Sequence, residues 1–157
     1  TAQQMAARDQ INENILRELQ RNGRISNLDL AERVGLSPSA CLRRVKRLED
    51  EGVIDRYVML INQQAINKSS SVFVEITLNS QSEEALAAFE EALLEIPDVL
   101  VCFLMAGDYD YIMRVAVSGP EDYERLHKIY LSRLPGVARI RSSFALRNVC
   151  QRTGFEL

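Results

Sequence analysis

An α+β chain, helical in its first part and built from alternating strands and helices beyond it, is what the 157-residue sequence predicts. Three observations carry this. Up to about Leu60, apolar residues recur at helical spacing, broken by Asn-Gly, Gly and Ser-Pro. Residues 61–71 are polar and aperiodic. After them, apolar runs of period two alternate with helical ones. The boundaries expected are a first domain over 1–60, a linker over 61–71 and a second domain over 72–157. With 46% hydrophobic and 26% charged residues the composition is that of an ordinary globular chain. Two small domains bury modest cores, so burial between subunits is expected to supplement them.

The first helix is predicted from Asp9 to Arg21, with Ile11, Ile15, Leu16 and Leu19 on one face, Asp9 as cap and Asn22-Gly23 as stop. A short second helix follows Ser26 and turns Leu28, Ala31 and Val34 inward before Gly35. Ser37-Pro38 opens a third: a hydroxyl cap, then proline at the first helical position, where its missing N–H costs nothing. It continues to about Asp50 and stops at Gly52; residues 53–60 then read as a strand or short wing.

Beyond the linker, Val72, Val74, Ile76 and Leu78 alternate with polar residues as a strand. Ser80 and Glu83 resemble a capping box for a helix to about Glu95 that buries Leu86, Phe89, Leu93 and Leu94. Residues 99–105 are continuously apolar, as in a strand covered on both faces. Gly107-Asp108 turns the chain, and residues 111–117 return as a strand. Ser118 and Glu121 suggest a second capping box, for a helix to Leu134 with Leu126, Ile129, Tyr130 and Leu134 inward. Residues 137–146 form the last strand. Strand, helix, strand, strand, helix, strand is the ferredoxin-like βαββαβ order, an antiparallel sheet with both helices on one face. The open face would be wet; apolar residues for both faces of the 99–105 strand predict that a second subunit covers it in a symmetric dimer.

Ser26–Leu48 fits a helix-turn-helix. Ala31 is small where two helices cross, Gly35 supplies positive φ, Leu36 plugs the core and Ser37-Pro38 starts the next helix. At about 100° per residue, Cys41, Leu42, Val45 and Leu48 share an inner face. Ser39, Ala40, Arg43 and Arg47 project the other way, with Arg44 and Lys46 on the flanks and Ser37 at the helix start. Small residues at the start allow entry into a major groove, and arginines further along reach guanine edges or phosphates. Duplex DNA is the partner this face predicts. A solvated charged face is the plainer reading, but it would not require Gly35 and Ser37-Pro38 as well.

The net charge of −3 is unevenly spread. Residues 1–60 hold ten basic and nine acidic residues; the remainder holds nine and thirteen. No apolar run approaches the roughly 18 residues of a membrane span. Thr1–Arg8 lacks the apolar core of a secretory signal. Cys41, Cys102 and Cys150 are too far apart to suggest a disulfide framework or a zinc site, and a cytoplasmic location follows. His127 stands alone. No phosphate loop, no nucleophile beside a base and no metal cluster point to an enzyme, and neither a cofactor nor a metal is expected. The Gly107-Asp108 hairpin fits a simple turn and a ligand pocket equally well.

The chain resembles the Lrp/AsnC family of feast/famine transcriptional regulators, closest to its leucine-responsive branch. The residues that carry the resemblance are Gly23-Arg24-Ile25-Ser26-Asn27, Val34-Gly35-Leu36-Ser37-Pro38, Cys41-Leu42-x-Arg44-Val45 and Arg47-Leu48-Glu49. Gly107-Asp108-Tyr109-Asp110-Tyr111 and Leu134-Pro135-Gly136-Val137 extend it over nearly the whole chain. It implies a winged helix-turn-helix followed by a ferredoxin-like RAM domain. It also implies dimers that assemble further, to octamers, and a small amino acid such as leucine bound between effector domains of neighbouring dimers. The implied effector residues are Gly107, Asp108, Tyr109 and Asp110, with Asp110 foremost, Leu104 and Met105 lining a side-chain pocket, and Ser142, Ser143 and Phe144 of the last strand. An architectural, low-specificity DNA-compacting protein is the alternative on the same scaffold.

Overall fold

The computed structural model describes residues 9–157; Thr1–Arg8, read above as no secretory signal, lie outside them. The chain divides into two compact units, Thr1–Leu60 with Val149–Leu157, and Ile61–Asn148.

In the first unit α1 spans Gln10–Arg21, α2 Asn27–Val34 and α3 Pro38–Asp50. Each start is capped as its sequence suggests: the N–H groups of Ile11, Asp29 and Ala40 donate to Asp9 Oδ1, Ser26 Oγ and Ser37 Oγ at 2.9, 3.0 and 3.2 Å. Gly35 ends α2 at φ +70°, and the Leu36 N–H donates to the Ala31 carbonyl at 2.9 Å, which aims the chain into α3. Ile15, Leu30, Ala31, Cys41 and Leu48 form the core, backed by Ile11, Leu19, Val34, Leu36, Val45, Val53 and Ile54.

Three expectations change here. Leu28 is exposed and Leu30 takes its inward place, because the face of α2 that meets α1 and α3 runs through Leu30, Ala31 and Val34. Leu42 is also exposed, since the inner face of α3 centres on Cys41 and Leu48. Residues 53–60 form no strand: Val53 and Ile54 fold back through N–H bonds to the Leu48 carbonyl, and residues 55–60 run exposed without a ladder partner.

The second unit carries β1 (Ser70–Leu78), α4 (Glu83–Leu94), β2 (Val99–Leu104), β3 (Tyr111–Val117), α5 (Pro120–Ile129), a 3₁₀ turn (Leu131–Arg133) and β4 (Val137–Phe144). The sheet is antiparallel in the order β2-β3-β1-β4, the expected ferredoxin-like arrangement. Val72, Val74, Ile76 and Leu78 of β1 and Tyr111, Met113, Val115 and Val117 of β3 face the helices, where they meet Phe89, Leu93, Leu126 and Leu131. Phe89 and Tyr111 stack with centroids 4.4 Å apart, and the Tyr111 hydroxyl donates to Glu90 at 2.7 Å.

The helix starts differ from the expected capping boxes. Ser82, not Ser80, caps α4 through the Ala85 N–H at 3.2 Å. No side chain caps α5; instead the Ser118 N–H donates to Asp122 at 2.9 Å. The last turn after Ile129 tightens to a 3₁₀ turn, which buries Leu131 and leaves Ile129 exposed. Leu94, expected inward, is exposed because α4 turns only Phe89 and Leu93 fully into the core.

The boundaries also move. Residues 61–69 belong to the second unit rather than to a free linker, held by Lys68, whose ammonium reaches Asp98 at 3.1 Å and Asp122 at 3.2 Å. Val149–Leu157 leaves the second unit, because pairing along β4 ends at Phe144 and the tail finds its partners on α1. There Gln20 accepts from the Phe155 N–H at 2.6 Å and donates to the Phe155 carbonyl at 3.0 Å, while Arg17 donates to the Leu157 carbonyl.

Candidate nucleic-acid interface and ligand site

Helical rotation sorts α3 into three arcs. Cys41 and Leu48 face the core. Arg44 lies beside them, half-buried, and its guanidinium donates to Asp9 Oδ2 at 2.8 Å and to the buried Asn12 at 3.1 Å. This pairing holds the Asp9 carboxyl below its usual range, with the Ile11 N–H as second cause. Arg44 therefore ties α3 to α1 and leaves the expected reading face.

Ser39, Leu42, Arg43 and Lys46 make up the outer arc and are exposed. Among the described residues Arg43 and Lys46 form no ion pair, whereas Arg33 and Arg21 are engaged by Glu18 at 2.9 and 3.5 Å. Arg47 stands at the margin with its Nε on Glu51 at 2.7 Å. Ser37 spends its hydroxyl on the cap and lies 3.3 Å from the Ser39 hydroxyl; Ala40 is half-buried. Asn27 braces the helix start by donating to the Pro38 carbonyl at 2.8 Å. The sequence reading missed Leu42. Leu42 was expected on the inner face with Cys41, Val45 and Leu48; its rotation of about 100° from the Cys41–Leu48 direction is the signal in the sequence that carries it out of the core.

The hairpin between β2 and β3 is held by its last residue. The Met105 N–H donates to the Asp110 carbonyl at 2.7 Å, and the Asp110 N–H to the Ile76 carbonyl at 2.9 Å. The Asp110 carboxylate accepts from the Leu78 N–H at 2.7 Å and from the Gln81 amide at 3.2 Å. It therefore clamps the hairpin to the end of β1. Gly107 and Asp108 are exposed at the tip and Tyr109 is half-buried; among the described residues Asp108 makes no ion pair. Leu104 lines a groove of about 410 Å³ between β2 and α4, together with Leu94, Leu100, Cys102, Tyr111 and Glu90. Burial pushes the Cys102 thiol up to about 11, so it packs rather than reacts.

Ser142, Ser143 and Phe144 are not brought to this hairpin. Phe144 pairs with Val72 and Ser142 with Val74, whereas the hairpin leaves the sheet beyond the Tyr111–Ile76 pair. They also sit on β4, three strand spacings or about 14 Å across the sheet from β2. The Tyr123 hydroxyl bonds the Ser142 hydroxyl, and the Tyr123 ring meets Phe144 edge-on at 5.5 Å.

A three-helix reader whose last helix exposes Arg43 and Lys46, followed by a ferredoxin-like unit, is the architecture of a DNA-binding regulator. The comparisons agree. Residues 8–55 match the winged helix-turn-helix DNA-binding family and residues 71–155 the Lrp/AsnC ligand binding domain. The chain is 43% identical over 143 residues to the leucine-responsive regulatory protein of Escherichia coli, covering 91% of this chain and 87% of that one. Among solved structures, a Neisseria meningitidis transcriptional regulator in complex with L-methionine superposes with TM-score 0.89 at 32% identity, over 94% of this chain and 96% of that one. The feast or famine regulatory protein of M. tuberculosis complexed with L-methionine gives 0.81 at 34%, over 94% and 97%. The chain belongs to the Lrp/AsnC family of transcriptional regulators. No described helix is long and apolar enough to cross a membrane.

Proposed function

We propose that α3 reads duplex DNA in the major groove through Ser39, Arg43 and Lys46, with Ser37, Ala40 and Arg47 at its margins. The observation that carries this reading is the outer arc of α3, where Arg43 and Lys46, exposed and without ion pairs among the described residues, share the arc with the small Ser39 near the helix start. Arg47 turns from Glu51 to the phosphate backbone on binding. Competition by unrelated DNA tests sequence specificity: a specificity ratio of roughly a thousandfold or more is expected, and one below about tenfold would favour a compacting role.

A small amino acid modulates this binding. The relatives solved with L-methionine support the ligand class. Asp108 suits its ammonium, the N–H groups of the turn suit its carboxylate, and Leu104 and Met105 stand beside them for an aliphatic side chain. Ser142, Ser143 and Phe144 complete the site from a neighbouring chain, since within one chain they lie at the far end of the sheet. Isothermal titration with a panel that includes leucine and methionine should give heat for at least one, and Asp108→Asn should abolish it. No heat from any member overturns the reading.

The assembly is a dimer that associates further. On the face turned away from the helices, Phe73, Val101 and Phe103 remain 36–57% exposed; Phe103 pairs with Ile112, and Phe73 and Val101 flank Arg114 across the ladder. A second copy laid on this face removes that apolar area from water.

A further inference from the structure

Leu42 is a large apolar side chain on a surface otherwise built for polyanions. It is 57% exposed, although its neighbours Cys41 and Leu48 are sealed in the core. On α3 it lies three residues after Ser39 and four before Lys46, so these three side chains and Arg43 share one arc. The major-groove edge of duplex DNA carries one apolar group, the 5-methyl of thymine, and aliphatic side chains read it by contact. We propose that Leu42 sets base preference by packing on a thymine methyl, one per half-site. This rests on the assignment of α3 to the groove. Arg43 and Lys46 on phosphates or guanine edges hold the helix in place, the small Ser39 allows close approach, and Leu42 then meets the edge of a T·A pair. Losing one buried methyl-sized group corresponds to about a fourfold weakening.

The test uses the full chain and a duplex selected by it from a random pool, with each thymine replaced in turn by deoxyuridine, which lacks only the methyl. Wild type should bind about fourfold more weakly when one particular thymine of a half-site is replaced. Leu42→Ala should bind the parent duplex about fourfold more weakly and be indifferent at that same position. Thermal unfolding of Leu42→Ala should match wild type, because the side chain is largely outside the core, and Leu42→Asn gives a second variant of similar bulk. An undiminished deoxyuridine penalty in Leu42→Ala overturns the proposal. So does a flat scan in wild type, or a change of sedimentation rather than of DNA affinity. Arg43→Ala, run in parallel, separates the two levels. If it weakens binding while Leu42→Ala does not, only the thymine contact fails; if neither changes binding, the assignment of α3 itself fails.

Discussion

Arg43 and Arg44 are neighbours in the chain with opposite attachments. Arg44 is bound by Asp9 and Asn12, while Arg43 has no ion pair among the described residues. Arg43→Ala should lower the slope of log affinity against log salt by about one unit and leave thermal unfolding unchanged. Arg44→Ala should do the reverse, lowering the thermal midpoint while the salt slope stays. Equal salt slopes in the two variants would contradict this division. Asp122 supports a second prediction. The Ser118 N–H, then Arg125 at 2.8 Å and Lys68 at 3.2 Å, hold its carboxyl far below the ordinary range. A lowered folded value adds stability that is complete above the unfolded value of about 3.9 and drains away as pH falls toward the folded one. Urea midpoints of wild type should therefore drop from about pH 4 downward. Asp122→Asn should be less stable at neutral pH and show a shallower acid drop; parallel profiles would rule this cause out.

The start of α3 depends on two residues whose effects are local. Ser37→Ala removes the bond to the Ala40 N–H and should cost about 1 kcal/mol by denaturant titration. Gly35 sits at φ +70° with open space around its missing side chain, so Gly35→Ala is penalised by backbone conformation alone, about 1–2 kcal/mol. Gly35→Asn should recover part of that loss, since asparagine tolerates this region; no recovery would point to a contact instead. Caps of this kind were readable from the sequence because donor and acceptor lie within three residues. Ser80-x-Ser82 offered two hydroxyls two residues apart, and the structure uses the second. At α5 the hydroxyl of Ser118 was the expected cap, but Asp122, held by Arg125 one turn along the same helix and by Lys68 from before β1, takes the Ser118 N–H.

For the whole molecule, the proposed pairing of two readers would run through the open face of the sheet. If the open face joins two copies, Phe103→Asp should convert an associated species to a monomer in sedimentation equilibrium at low micromolar concentration. The same variant should bind DNA far more weakly, because each chain presents only one reader. An unchanged mass for Phe103→Asp would exclude this face. The element order, the helix-turn-helix, the four strands and the buried alternation of β1 were determined by the sequence alone, through periodicity and through caps acting within about four residues. Several site assignments were not. That Arg44 is tethered, that Asp110 clamps β1 and that Ser142–Phe144 lie far from Asp108 all depend on partners 30 or more residues away, and Leu42 faces outward because α3 packs on Ile15, Leu30 and Ala31 through Cys41 and Leu48. Such partners are chosen by strand register and by which helix faces meet in the core. A period of two or of 3.6 residues specifies which face of an element is apolar, but only the packed structure decides what that face, and its opposite, will touch.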